Sequence, residues 1–291
     1  MFKKGLVLST LALLVGGFSS TALNISAQEE STVIKVASHL PPMTDIVEIA
    51  GEVIEGPYTV ELVEVSDNIQ YNEAVLNDEV QASFAQHEPF MEIFNEERDG
   101  DLVAIQPIYN AVVGFYSPVY DSIDQIEEGA EVAIPSDITN EGRALLILED
   151  NDLIELNDDA GLFPTVDDIE ENPLNLEFTH IDLLNLTGAY EDGVELVFNY
   201  PTYIASIDLS TDDALLLEDD DDNTYALQLI VREGNADSEA TKALQAAFAS
   251  PEVLEFLDEL AKEKHLEPAF SLDGSTDNSD DADDSDEESN E

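Results

Sequence analysis

The sequence of 291 residues contains no cysteine and no tryptophan. Without cysteine there is no disulfide, no zinc–thiolate site, no thiol nucleophile and no lipid-modified cysteine. Cations are scarce too: 9 Lys+Arg stand against 67 Asp+Glu, a formal net charge of −58. Phosphate backbones and anionic membrane surfaces bind to basic faces, so nucleic acid and acidic lipid are disfavoured as partners. No G-x-S-x-G elbow, P-loop, G-x-G-x-x-G or H-x-x-x-H occurs, and carboxylates are so common that their pairing carries no information. What is present is a hydrophobic share of 43%, too high for a disordered acidic protein. The length suits one large α/β domain or two smaller ones.

At the start, Lys3 and Lys4 precede an apolar run over 5–18, and small residues follow at Ser20, Thr21, Ala22, Ser26 and Ala27. This pattern predicts a secretory signal peptide over 1–27. The apolar run is shorter than the ~20 residues of a membrane span. The mature protein is therefore expected outside the cytoplasm. At the other end, 271–291 reads as a disordered acidic tail, because from Asp273 it offers no aromatic or branched apolar residue to bury. The run EDDDD at 218–222 reads as an exposed acidic loop. So acidic a surface suggests a saline or alkaline habitat, where salt screens self-repulsion. A melting temperature that rises from low to molar salt is the expected result, and one indifferent to salt would count against it.

Between the ends, β-type runs at 33–38, 59–65, 81–86, 102–109, 111–117, 131–136, 176–181, 194–200 and 226–232 alternate with helical patterns. The helices are expected at 44–54, 72–79, 88–98, 139–150, 166–172, 238–249 and 251–264. Alternation of this kind predicts an α/β fold with helices flanking the sheets. The strand count favours two lobes, and ligands of such sheets bind beyond the strands' carboxyl ends.

With three arginines in the chain, each is informative. Arg98 ends a helix, where a cation suits the dipole, and Arg232 follows a strand. Arg143 stands in AIPSDITNEGRALLIL, which reads as strand, polar loop and helix, so it falls near a helix N-terminus. A cation is locally unfavourable there. Its presence points either to a bound anion shared with backbone N–H groups or to a salt bridge. His87, in QHEPF, ends a strand and could line a cleft or serve as a cap. His39 also follows a strand, whereas His180 and His265 carry no supporting pattern.

Three stretches together are specific: QHEPF, IPSDITNEGRALLIL and GLFPTVDDIEENPLNL. With VFNYPTYIAS and ALQLIVREGN they make the chain resemble the NlpA family of methionine-binding lipoproteins over almost all of 33–270. The resemblance implies a two-lobed fold of the type II periplasmic-binding-protein kind. Each lobe would be a mixed sheet flanked by helices, with the ligand in the cleft between them. It places lobe 1 at 33–110 plus 224–270 and lobe 2 at 111–223. It implies a substrate-binding protein of an ABC importer, without catalytic activity or cofactor. This would be a monomer that delivers L-methionine or a related amino acid to a permease and its ATPase. Arg143 would hold the carboxylate, with Asn140 in the same motif, and Asn199 the head group. His87 and Phe90 would line the side-chain end. This chain departs from the family at three pocket positions: Asn68 and Ala85 replace aromatic residues, and Gln228 replaces an asparagine. It also lacks the lipid-bearing cysteine. Another amino acid or a dipeptide is therefore an alternative ligand. A metal-dependent hydrolase and an acidic surface interaction protein are the rival classes.

Overall fold

The computed structural model describes residues 31–157, 159–218 and 223–272. The expected signal peptide, residues 219–222 of the acidic run and the tail from Asp273 lie outside the described residues. The strands are β1 (Thr32–Ser38), β2 (Tyr58–Glu64), β3 (Ala82–His87), β4 (Leu102–Asn110), β5 (Gly114–Tyr116), β6 (Glu131–Pro135), β7 (Glu155–Leu156), β8 (Ile169–Glu171), β9 (Glu177–Ile181), β10 (Leu196–Asn199), β11 (Leu216–Leu217), β12 (Leu227–Arg232) and β13 (Glu267–Pro268). The helices are α1 (Met43–Val53), α2 (Gln70–Leu76), α3 (Glu88–Arg98), α4 (Ile138–Asp150), α5 (Leu186–Glu191), α6 (Pro201–Ile204), α7 (Glu239–Phe248) and α8 (Pro251–Lys262).

Two mixed sheets organise these elements. One has the order β13-β4-β12-β3-β1-β2, and the other β11-β5-β10-β6-β9. In the first, β1 pairs in parallel with β2 and β3, while β12 runs antiparallel to both β3 and β4. In the second, β6 pairs in parallel with β9 and β10, and β5 is antiparallel to β10 and β11. Parallel strands covered on both faces read as continuous apolar runs rather than alternating ones. All six residues of the central strand β3 are buried, its polar Ser83, Gln86 and His87 included. Amphipathic helices cover the sheets: α8 buries Val253 and Leu257, starts at Pro251, and is capped by Ser250, whose Oγ accepts from the Val253 N–H at 3.3 Å. α1 packs against both α7 and α8.

One expected helix is absent. Over 166–172 the chain makes a short 3-10 turn, Val166–Asp168, and then strand β8, which pairs with β7. Thr165 donates its N–H to the Asp168 carboxylate at 2.8 Å, closing a capping box around a single turn. Pro173 follows and disfavours helical backbone at Asn172. Sequence periodicity also gives no sign of the short helices α5 and α6. Arg232 acts as a staple: Nε and Nη2 donate to both Asp101 oxygens at 3.0 and 2.8 Å, and Nη1 to Asp78 at 2.8 Å. Arg98 reaches Glu73 at 3.0 Å on the surface.

Candidate functional site

Four strands end around one cavity. After β1 comes α1, whose Met43 lines it, after β6 comes α4, after β10 come Tyr200 and α6, and β3 ends in His87 itself. Strands of both sheets thus contribute at their carboxyl ends, where α/β folds place ligands. His87 caps α3: its Nδ1 accepts the Phe90 N–H at 3.2 Å. That leaves the proton on Nε2, which faces Asn140 Oδ1 at 3.4 Å. Burial first, and the Arg143 charge second, push the His87 pKa down to about 3, so the ring is neutral.

α4 begins with Asp137 as N-cap, its carboxylate accepting the Asn140 N–H at 3.0 Å and its two oxygens accepting from Asn140 Nδ2 at 3.0 and 3.1 Å. This fixes Asn140 with Oδ1 free to accept. Tyr200 donates its hydroxyl to that oxygen at 2.8 Å, and Arg143 Nη1 donates to Tyr200 Oη at 2.8 Å. Donors thus converge on Asn140 Oδ1, from Arg143 through Tyr200 on one side and from His87 on the other. Gly142, next to Arg143, allows α4 to meet the 162–164 loop: a Cβ there would lie 3.0 Å from Phe163 Cα and 3.2 Å from Pro164 Cδ. This close approach explains the glycine of the TNEGR motif.

Arg143 lies in the second turn of α4 and is 1% exposed, the largest of the fully buried side chains. Its guanidinium stacks on Tyr225 at 4.0 Å from the ring centroid and lies 5.4 Å from that of Tyr200. Both oxygens of Glu218 accept from it: Oε1 takes Nε at 2.7 Å, and Oε2 pairs with Nη2. The salt-bridge reading of Arg143 thus holds in this conformation. Glu218 is correspondingly not the exposed loop residue expected from its acidic run, since its side chain is only 9% exposed. A buried guanidinium attracts one of the many carboxylates, because an unpaired buried charge is strongly unfavourable.

Of the expected site residues, Asn68, Ala85, His87, Phe90 and Asn140 line the cavity together. Arg143 stands directly behind Tyr200. Asn199 is fully buried outside the lining. It donates to Thr187 at 3.0 Å and accepts the Tyr200 N–H at 2.9 Å, so it holds the backbone of a lining residue. Gln228 does not line the cavity and Leu227 does, because neighbouring strand residues face opposite ways and Leu227 is the one opposite His87. Sequence reasoning missed the tyrosines: Tyr71, Tyr109, Tyr200 and Tyr203 all face the cavity. Tyr200 and Tyr203 stand in the YPTY stretch, whose two tyrosines flank a helix-starting proline, the one signal that could have marked them. With Tyr71 and Tyr109 they give the cavity an aromatic lining around Asn68 and Ala85.

Outside the lining but against two of its tyrosines, His39 Nε2 lies 3.1 Å from Tyr203 Oη, and the ring stacks on Tyr71 at 5.6 Å. Burial pushes the His39 pKa down to about 4 against the pull of Asp67. Behind Gln86, which lines the floor, Asn72 and Gln86 form a reciprocal amide pair. The enclosed space is about 20 Å³, room for about one water. Among the described residues no group of three His, Cys, Asp or Glu is arranged to hold a metal ion, and no helix is long and apolar enough to cross a membrane.

The sequence and the fold both have counterparts among known proteins. The chain is 32% identical over 231 residues to the D-methionine-binding lipoprotein MetQ of Escherichia coli K12, covering 78% of this chain and 85% of that protein. Among solved structures it resembles a YaeC-family lipoprotein of Enterococcus faecalis, with a TM-score of 0.73 and 48% identity over 82% of this chain and 99% of that one. It also resembles a Burkholderia cenocepacia nutrient-binding protein solved bound to methionine, with a TM-score of 0.77 and 30% identity over 81% and 100% of the two chains. The NlpA lipoprotein profile matches residues 34–270, which span both sheets and every lining residue of the cavity, and the chain belongs to that family.

Proposed function

We propose that this chain is the extracytoplasmic substrate-binding protein of an ABC importer. It closes around a zwitterionic amino acid, methionine or a relative, and hands it to the permease. The lobes are 33–110 plus 224–270 and 111–223, with the ligand between them. Arg143 anchors the carboxylate, with Asn140 and Tyr200 beside it. Phe90, His87, Asn68 and Ala85 border the side chain, and Tyr71, Tyr109 and Tyr203 supply its aromatic surroundings. Asn199 acts at one remove by positioning Tyr200, and Gln228 makes no direct contact.

The observation that carries this reading is the fully buried Arg143 directly behind a tyrosine-lined cavity at the carboxyl ends of strands from both sheets. A thioether gains from aromatic neighbours, and the tyrosines provide them. The cavity is too small for an amino acid as it stands, so binding requires the lobes to part and re-close. A ligand that binds only the folded state raises the melting temperature, by about 2.7 kcal/mol of added stability at a hundredfold excess over Kd. Protein stripped of ligand by unfolding and refolding is therefore expected to show an upward shift with L-methionine, D-methionine or a close relative. No shift across all amino acids and methionine dipeptides would sink the proposal.

A further inference from the structure

We propose that Glu218 is a built-in competitor for the ligand's carboxylate at Arg143, and so sets both the affinity and the charge preference of the site. The inference rests on the amino-acid-binding reading and deepens it. A guanidinium has five N–H donors, and a carboxylate grips it best through two parallel bonds. Glu218 makes that bidentate contact on the Nε/Nη2 edge, while Nη1 is engaged by Tyr200. The guanidinium thus already carries a carboxylate in the geometry a ligand carboxylate would adopt. The backbone of Glu218 is pinned by its N–H to Val113 O at 2.9 Å, so only the side chain has to turn away for Arg143 to change partner.

Within the Arg143–Glu218 pair the charges cancel, and Asp137 leaves the Asn140 end without a balancing cation. Arg143 is positive, Glu218 negative and His87 neutral. A carboxylate that displaces Glu218 leaves that side chain without its cation, and one that shares Arg143 sits close to a like charge. Either way the cost falls on the ligand's carboxylate, and a ligand that brings an ammonium group offsets it. The site therefore favours zwitterions over simple anions.

The test compares full-length wild type with Glu218→Gln, which keeps shape and removes charge. Two probes are used at matched ionic strength, L-methionine and acetate. Glu218→Gln is expected to bind L-methionine about tenfold tighter than wild type, the scale of one charge-assisted contact. Acetate is expected to raise the melting temperature of Glu218→Gln and not of wild type. Unchanged or weaker methionine binding, with acetate shifting neither protein, overturns the proposal and leaves the amino-acid reading intact. Acetate stabilising Glu218→Gln alone while methionine binds neither protein keeps the competitor and removes the amino-acid reading. A second measurement needs no variant. With three arginines in the chain, the Arg Nε–H region of a nitrogen-15 spectrum holds three signals. Saturating methionine should move that of Arg143 as Glu218 gives way, and an unmoved signal at concentrations that raise the melting temperature rejects the exchange.

Discussion

Arg143→Met is expected to lower the stability of the ligand-free protein by about 3–5 kcal/mol and to abolish its thermal response to ligand. The loss is large because it strands Glu218, whose side chain is 9% exposed, without a partner, and because Tyr200 Oη loses its donor. Against a total stability of about 5–15 kcal/mol such a loss is severe. Loss of ligand response in an unstable variant would be ambiguous, so the double variant Arg143→Met, Glu218→Leu carries the argument. Replacing a whole buried ion pair by apolar side chains is often neutral or stabilising. Urea unfolding of the double variant should return close to the wild-type midpoint, while isothermal titration still finds no amino-acid binding. A double variant that binds as wild type does would remove Arg143 from the anchoring role.

The second large effect concerns acid. His39 and His87 are held neutral by burial, with pKa values pushed from 6.5 to about 4 and about 3. In the unfolded chain both take up a proton below pH 6.5, whereas in the native state neither does until well below pH 5. The unfolded state thus binds more protons in this window, and stability falls as pH falls. The contribution is complete above about pH 6.5 and shrinks by about 1.4 kcal/mol per pH unit for each ring. By pH 5 the two together cost about 4 kcal/mol. Protonation of surface carboxylates relieves repulsion over part of the same range and acts in the opposite direction. The measurement is therefore the difference between wild type and His39→Gln, His87→Gln, which should narrow by that amount from pH 7 to pH 5. Parallel stability curves for the two proteins would show that the rings do not titrate as described.

Much of the fold could be read directly from the chain. β12, α3 and α4 carry strong local signals: the apolar run LQLIV, Pro89 at a helix start, and Asp137 three residues ahead of Asn140. The cavity residues Asn68, Ala85, His87, Phe90 and Asn140 followed from the family's motifs. What stayed hidden depends on contacts distant in sequence. Glu218 meets Arg143 across 75 positions, and nothing local separates it from 66 other acids. Tyr71 and Tyr109 resemble ordinary core residues until the sheet brings their rings to one cavity. Gln228 and Leu227 differ by a single step of register, and that step decides which side chain meets the cavity.

The two neutral histidines also bear on how readily the protein opens. His39 follows β1 and meets Tyr203 of α6, while His87 ends β3 and meets Asn140 of α4, so each contact joins an element of the first sheet to one of the second. The Arg143–Glu218 pair, by contrast, lies between α4 and the end of β11, both on the side of the second sheet, and separation of the sheets leaves it whole. The Lys264–Asp212 ion pair also joins the two sides, at the surface; beside the cavity, among the described residues, the polar latch is two hydrogen bonds between uncharged groups, each worth about 1 kcal/mol net. Breaking both shifts the balance between shut and parted forms by a factor of about thirty. That is a modest tax on capture, and once a ligand occupies the cavity, its own contacts rather than the latch set how long it stays.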